Sequence, residues 1–460
     1  MNAVWQTLTL ATLPLTQWFR ASYLHRLVGP LQSWRRSSWL LQGSDLLGFG
    51  LLVLVFGLAP FVSNLLVGLL LTACAGFWFL LTLSDDRTEG TLSTPIHLLV
   101  FTYWGISVVA TALSPVKAAA VVGLSKLTLY LIFFALIARI LRSARLRSAL
   151  ITIWLHVVLI VSCYGIRQWF DQVEPLATWN DPTSSGANVT RVFSYLGNPN
   201  LLAGYLLPAI ALSVAALFAW RGWLPKTLAL TMIIVNCSCL RYTDSRGSFL
   251  GFVGLLFVLM ILFWFWVADR LPEPWRTWSL PVALGTVAAL LILAVVAVEP
   301  LRNRVGSIFM GRGDSSSNYR LNVWLSVIDM IKDRPVLGIG PGNTAFNKIY
   351  PLFQRPRFSA LSAYSIVLEV AVETGFIGLT CFLWLLLVTF NQGITHLSRL
   401  RQTRNPDGFW LIGAMAAMAG MLTHGLFDTV WYRPEMSTVW WLMVGLIASY
   451  YLRPLEERVE

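Results

Sequence analysis

SAYSIVLEVAVETGFIGLTCFLWLLLVTF, from Ser362 to Phe390, is apolar for long enough to cross a bilayer, yet two carboxylates sit near its start. A helix needs roughly 20 apolar residues to span the hydrocarbon core, and residues 365–390 are predicted to form such a span. In hydrocarbon each carboxylate costs about 2 kcal/mol or more unless it is paired or hydrated. Glu369 and Glu373 are four residues apart, so they share one helix face. That face is predicted to look into the protein or a cavity, where pairing with loop arginines is the plain structural alternative.

The rest of the chain has the same character. Of its 460 residues 56% are hydrophobic and 12% charged, and the mean hydropathy is +0.66. Apolar runs recur near 45–61, 63–83, 95–113, 117–138, 149–168, 200–220, 226–240, 248–268, 279–298, 365–390, 409–427 and 437–452. The alternation of short segments that marks a membrane β-barrel is missing. The expected fold is all-α: a polytopic membrane helix bundle of about twelve transmembrane helices, with a long extracytoplasmic loop carrying short helices. The divisions are an interfacial segment 1–44, a first part of the bundle 45–298, the loop 299–364, a second part 365–452 and a tail 453–460. The runs 45–61 and 63–83 join around Pro60 and are also readable as a re-entrant pair, and 226–240 is short.

The formal charge of +12 is a topology signal rather than a nucleic-acid footprint. Arg20, Arg26, Arg35 and Arg36 precede the first span, Arg139 to Arg147 follow the fourth, and Arg399, Arg401 and Arg404 follow the tenth. Alternating spans place all three groups on one side, which the positive-inside bias assigns to the cytoplasm together with both termini. The first 40 residues, rich in Trp, Leu and Arg, are expected to lie on that face, and the Arg139–Arg147 run suits anionic headgroups. No nucleic-acid partner is expected. The cysteines, Cys74, Cys163, Cys237, Cys239 and Cys381, lie in or near apolar spans and form no CxxC pair. They read as small hydrophobes; neither disulfide, metal nor cofactor is expected.

Two stretches on the other side break the membrane pattern. Residues 169–200 hold a turn-rich polar cluster, WNDPTSSGANVT, with a formal sequon at Asn188, and then SYLGNPNLLAGYL. Residues 299–362 hold Arg302, Arg304, Arg312, Arg320, Lys332, Arg334, Lys348, Arg355 and Arg357 against few acids. Long loops escape the positive-inside bias, so this excess points to an anionic partner. Within the loop NYRLNVWLSVIDMIKD is predicted as a short interfacial helix with Asn318 as its cap, Pro335 as its stop and a stripe of Trp324, Leu325, Ile328 and Ile331. RPVLGIGPGNTAF, from Arg334, is glycine-rich but lacks the Lys-Ser/Thr ending of a phosphate loop, so it is read as turns.

The candidate site residues follow from placement. Arg246, in RYTDSRGSFLG, stands at the mouth of a helix on the loop side, either snorkelling to headgroups or binding an oxyanion through its fixed fork. In LTHGLFDTVWYRPEM, His424 and Asp428 lie four apart, so His424 is a candidate base with Asp428 to orient it. Lys126, His156 and Arg167 are the other polar side chains in or near spans.

Taken in order, the S-R-G turn, the long loop with Trp324 and then P-x-x-G-x-G, and a helix with E-T-G-x-x-G resemble the O-antigen ligase and polymerase superfamily, from about Gly197 to Pro434. That resemblance implies a cavity for a lipid-linked diphosphate sugar, held by arginines. By position Arg246, Arg320 and Arg191 are the anion- or diphosphate-binding candidates, and Glu369, Glu373 and Asp428 are polar residues of the cavity. It also implies a catalytic histidine at the mouth of the helix after the long loop. Tyr364 stands at that position, followed by Ser365, nine residues and Gly375-Phe-Ile-Gly378. Tyr364 and His424 are thus the catalytic candidates.

S-A-Y-S-I-x-L-E, T-D-S-R-G-S and L-F-D-T-V-W-Y-R-P-E resemble, more narrowly, the cyanobacterial IctB-type inorganic-carbon transporter proteins. The first functional expectation is accordingly bicarbonate transport or accumulation in a bacterial plasma membrane. The alternative is a glycosyltransferase or ligase acting on an undecaprenyl-diphosphate-linked glycan, and a third reading is a non-catalytic subunit that binds lipid or a partner. The expected partners are membrane lipid with either a small anion or the lipid-linked glycan.

Overall fold

A computed structural model describes residues 2–86, 93–174, 190–297, 299, 302, 306, 315–428 and 431–451. The sequon asparagine Asn188, the loop residues Arg304, Arg312 and Asp314, and the tail 453–460 lie outside these. After short N-terminal helices come α1 (Ser44–Leu58), α2 (Asn64–Ser84), α3 (Pro95–Ala112), α4 (Lys117–Ile140), α5 (Ala144–Phe170), α6 (Pro199–Ala219), α7 (Trp223–Tyr242), α8 (Arg246–Val267) and α9 (Glu273–Ala297). The long loop then carries α10 (Ser315–Asp333) and α11 (Asn343–Ile349), and the chain ends with α12 (Ile366–Gln402), α13 (Gly408–Gly425) and α14 (Pro434–Ala448).

The protein is an all-α, multi-pass membrane bundle. Among the described residues nine helices, α2 to α9 and α12, are long and apolar enough to cross a bilayer. The other three apolar runs form α1, α13 and α14, of 15, 18 and 15 residues. The short run at 226–240 is extended at both ends into the 20 residues of α7.

Contacts divide the connections between two faces. On the basic face Arg35 and Arg139 hold Asp85 at 2.9 and 2.7 Å, Arg147 holds Asp407 at 2.5 Å while stacking on Tyr450, and Arg401 pairs with Asp269. The opposite face carries the long loops: Ser114 Oγ donates to the Ile339 carbonyl (2.5 Å), and Phe61 packs on Tyr195. α1 starts beside Arg35, which donates to Ser44 (3.2 Å), and ends at Leu58, three residues before Phe61 on the loop face. It therefore runs from face to face and is not half of a re-entrant pair.

At the centre, α6 is buried over nearly its whole length. Small residues let its neighbours close in. α8 and α13 cross where Gly251 and Gly420 meet, and a Cβ on Gly420 would stand 3.1 Å from the Gly251 carbonyl oxygen. Side-chain hydrogen bonds between spans join Trp154 to Tyr205 (3.0 Å) and Ser162 to Asn236 (2.7 Å). The N-terminal segment carries exposed Trp5, Trp18, Trp34 and Trp39, as an interfacial segment would, and is tied to α12 through Trp384 and the Leu8 carbonyl.

α10 differs in register from its sequence reading. It starts at Ser315, and the Asn318 side chain accepts from Asn322 instead of capping. Its buried face is Val323, Val327, Met330 and Ile331, against Phe346, Tyr350 and Val372; Leu325 and Ile328 are exposed.

The membrane helix quoted at the start is broken. Gly375 has φ 68° and ψ −172°, so α12 consists of two helices meeting at this residue. The backbone groups released there are satisfied by the glycine-rich stretch. Phe376 N–H donates to the Pro335 carbonyl (2.8 Å), Ile339 N–H to Val372 (2.9 Å) and Gly340 N–H to Glu373 (2.9 Å). A break in a helix packed inside a bundle persists only where protein partners replace the missing helix bonds. The stretch fits because glycines line its path: a Cβ at Gly375 would collide with the Val336 carbonyl, and one at Gly123 of α4 with the Pro341 carbonyl.

Candidate functional site

On the loop face a closed circuit of polar contacts brings together segments far apart in sequence. Arg191 Nε donates to the Thr243 carbonyl (3.0 Å) and its Nη2 to Asn200 Oδ1 (2.9 Å). Asn200 Nδ2 donates to Asp428 Oδ2 (2.8 Å), and Arg320 Nη2 approaches the same oxygen at 3.5 Å. One turn before Arg320 on α10, Ser317 Oγ accepts from Arg246 Nη1 (3.4 Å); Arg246 opens α8, three residues beyond Thr243. Local structure sets each group. Asn198 caps α6 and presents Asn200 in its first turn, Ser245 precedes Arg246 at the start of α8, and Asp428 follows the end of α13. The three arginines are half-buried and Asp428 is buried.

Tyr364 borders this circuit. Its ring meets Tyr319 edge-on at 5.8 Å, and its carbonyl accepts from Trp324 Nε1 (3.3 Å). Its φ is +50°, a left-handed conformation uncommon outside glycine, and Asp244 and Ser194 on the same face share it. Such strain collects at functional sites. Burial, with the nearby Tyr319 phenol and Asp428 carboxylate, pushes the Tyr364 phenol above its ordinary range. At neutral pH it is a hydrogen-bond donor and no base.

His424 has no exposed surface. Its ring lies between Gly204 of α6 and Gly247 of α8, where added Cβ atoms would stand 3.2 and 3.1 Å from ring atoms. It is therefore walled off beneath Asp428 rather than opened to the arginines.

Glu369 and Glu373 belong to a neighbouring place. Glu369 Oε2 accepts from Ala363 N–H (2.6 Å), and Glu373 Oε1 from Gly342 N–H (2.8 Å). The two acids thus fasten the two loops that precede α12, which is a different partner from the loop arginines. Both also line a cavity of about 170 Å³ walled by Tyr103, Tyr130, Phe382 and Trp440, with Lys126 at its edge. This cavity is separate from the arginine circuit, so the polar residues expected in one cavity divide between two. Removing the Glu373 carboxylate takes the acceptor from the half-buried Gly342 amide, at about 1 kcal/mol. Glu373→Gln, which keeps an accepting oxygen, is expected to melt within a few degrees of the wild type, and Glu373→Ala well below it in a detergent thermal-shift assay.

The long loop's basic excess is partly neutralised locally. Asp329 pairs with Arg355 (2.7 Å) and Lys332 (3.3 Å), and Arg334 lies 3.9 Å from Asp333. Sequence reasoning missed Asn200, although its place in G-N-P-N after a helix cap marked it as a polar residue at a helix mouth.

Residues 229–383 match the family described as O-Antigen ligase. The matched region holds Arg246, Arg320, Tyr364 and both glutamates, while Arg191, Asn200, His424 and Asp428 fall outside it. The chain is also similar to a protein of Rickettsia felis named "Putative polysaccharide ligase", 22% identical over 233 residues. That alignment covers 47% of this chain and 49% of the relative, so the chain spans about half the length of the curated relative it matches.

Proposed function

We propose that the protein transfers a glycan from a lipid-linked diphosphate donor on the loop face of the membrane. The observation that carries this reading is the circuit that links Arg246 and Arg320, both within the ligase-matched region, to Arg191 through Ser317, Asp428, Asn200 and Thr243. With the basic face in the cytoplasm, as the positive-inside bias has it, the circuit faces outward. Inorganic-carbon transport, the first expectation from sequence, has no support from either comparison, and the ligase alternative has both.

The chemistry follows from the groups present. The reaction breaks the bond between the sugar's anomeric carbon and the diphosphate and forms one to an acceptor hydroxyl. Negative charge grows on the departing diphosphate, and planar guanidinium groups bind such oxygens in pairs. The acceptor hydroxyl must give up a proton. Tyr364, a phenol that keeps its own proton at neutral pH, cannot take it, and His424 is enclosed. Asp428 is the carboxylate inside the circuit, and Asn200 and Arg320 both reach its Oδ2. It takes the proton, while Tyr364 donates a hydrogen bond to a donor oxygen.

Turnover of a polyprenyl-diphosphate-linked glycan by the purified protein in proteoliposomes tests this. Asp428→Asn is expected to lower the rate roughly 10²-fold or more, the range of general-base help. Tyr364→His is expected to raise it, because histidine tolerates the left-handed backbone better than most residues and titrates near neutral pH. Unchanged turnover in Asp428→Asn removes the carboxylate from the chemistry.

A further inference from the structure

The cavity that Glu369 and Glu373 line has a charge pattern that the fastening of the loops does not explain. Each acid gives one oxygen to a backbone amide, Glu369 Oε2 to Ala363 and Glu373 Oε1 to Gly342. The other two, Glu369 Oε1 and Glu373 Oε2, have no hydrogen-bond partner among the described residues, yet neither is closed off from open space. The space that both side chains border is this cavity of about 170 Å³. Glu369 is only 7% exposed, so its free oxygen has little other outlet. The two acids share one helix face, and a buried carboxylate calls for a positive partner. Lys126 lines the same cavity, but among the described residues it forms no ion pair with either acid. It is exposed, as is Val122 one turn earlier on α4, so it stands where the cavity meets the outer face of that helix.

The rest of the wall selects the kind of cation. Tyr103, Tyr130, Phe382, Trp431, Trp440 and Trp441 bring aromatic rings to the cavity, and Trp431 and Trp440 are packed ring on ring at 4.0 Å. Such rings attract a cation electrostatically and cover the hydrocarbon attached to it. A bare metal ion is served poorly. Calcium takes roughly six to eight oxygen ligands, and among the described residues no group of three or more His, Cys, Asp or Glu side chains is placed to hold one. An anion would meet two carboxylates, and a neutral apolar molecule would leave both unpaired. An ammonium group on a hydrocarbon body satisfies the acids and the rings together.

We propose that the Glu369–Glu373 cavity binds an organic ammonium group, carried either by an aminophospholipid headgroup or by a free amine. The site does not rest on the transferase reading.

Saturation-transfer-difference NMR on the full chain in uncharged maltoside detergent tests the site, with saturation placed on the protein's aromatic and amide protons. The probe is cyclohexylamine, a cation at neutral pH, and cyclohexanol and cyclohexanecarboxylate are the controls. Cyclohexylamine is expected to receive saturation, with far less on the alcohol and none on the carboxylate. Glu369→Gln and Glu373→Gln each keep an oxygen for the loop amide and turn the open oxygen into an NH2, so the loops stay fastened while the cation loses its partner. Apparent affinity is expected to drop roughly tenfold in each, as for the loss of one hydrogen bond to a charged group. The two variants are read separately, so one that fails to fold leaves the other, and the comparison of amine with alcohol needs neither. Lys126→Ala, which removes a like charge, is expected to bind as well as the wild type or better. Dihexanoyl phosphatidylethanolamine that displaces the probe, where the phosphatidylglycerol counterpart does not, makes a lipid headgroup the source; no displacement by either makes it a free amine. Four results each overturn the proposal: no saturation on the amine, equal saturation on the alcohol, an affinity unchanged in both glutamine variants, or a signal lost in Lys126→Ala. No donor and no turnover enter the measurement, so a missing amine signal leaves the arginine circuit standing, and absent turnover leaves the ammonium site standing.

Discussion

Gly375→Ala is expected to yield a protein that folds poorly or melts about 10 °C or more below the wild type, a shift corresponding to several kcal/mol. Two costs combine. The backbone at φ 68° and ψ −172° is a conformation essentially restricted to glycine. A Cβ there would also strike the Val336 carbonyl, which belongs to the stretch that satisfies the broken helix. Relief by movement of 335–340 would undo the bonds from Phe376, Ile339 and Gly340 together and leave several backbone groups unpaired. Gly76→Ala in α2, where an added Cβ meets nothing within 4 Å, is the control. It is expected to leave melting unchanged or raise it slightly, as alanine does in a helix interior. Fluorescence-detected size exclusion after heating reads both.

Arg246→Ala and Arg320→Ala are each expected to lower kcat/KM for a lipid-diphosphate glycan by roughly 10²–10³-fold, the range found when one group that stabilises developing charge is lost. Lysine is not expected to restore either, because a point charge lacks the two-pronged geometry of guanidinium. Arg191→Ala is expected to have a smaller effect on turnover and a larger one on stability, since its Nε and Nη2 already bond Thr243 and Asn200. Arg355→Ala, whose guanidinium pairs with Asp329 on the exposed loop, is expected to change nothing. Equal losses in Arg355→Ala and Arg320→Ala would reduce the circuit to a general basic surface.

Much of the bundle was legible in the sequence because length and hydropathy alone select membrane helices, and clustered arginines sort their ends. The contacts of Asp85 and Asp407 with arginines from different connections bear out that sorting of faces. The break at Gly375 was not legible, since glycine is common in membrane helices and E-T-G-F-I-G reads as helix interior. Only the partner stretch, about 40 residues earlier, reveals why the residue is glycine. Glu369 and Glu373 accept from backbone amides of the loops, partners that depend on that same packing and not on their spacing along the helix. Arg246 and Arg320 were singled out by placement and by the order of motifs, and the structure puts both in the polar circuit. Asn200 was not singled out, because its contacts with Arg191 and Asp428 depend on which loop lands beside which.

Purified protein in proteoliposomes, supplied in one preparation with a polyprenyl-diphosphate-linked glycan and an acceptor and in another with a bicarbonate gradient, tests the arginine circuit most directly. The expected result is release of polyprenyl diphosphate that Arg246→Ala and Arg320→Ala abolish, with bicarbonate flux no faster than in empty vesicles. Bicarbonate flux lost in the same two variants, with the donor left intact, would contradict it.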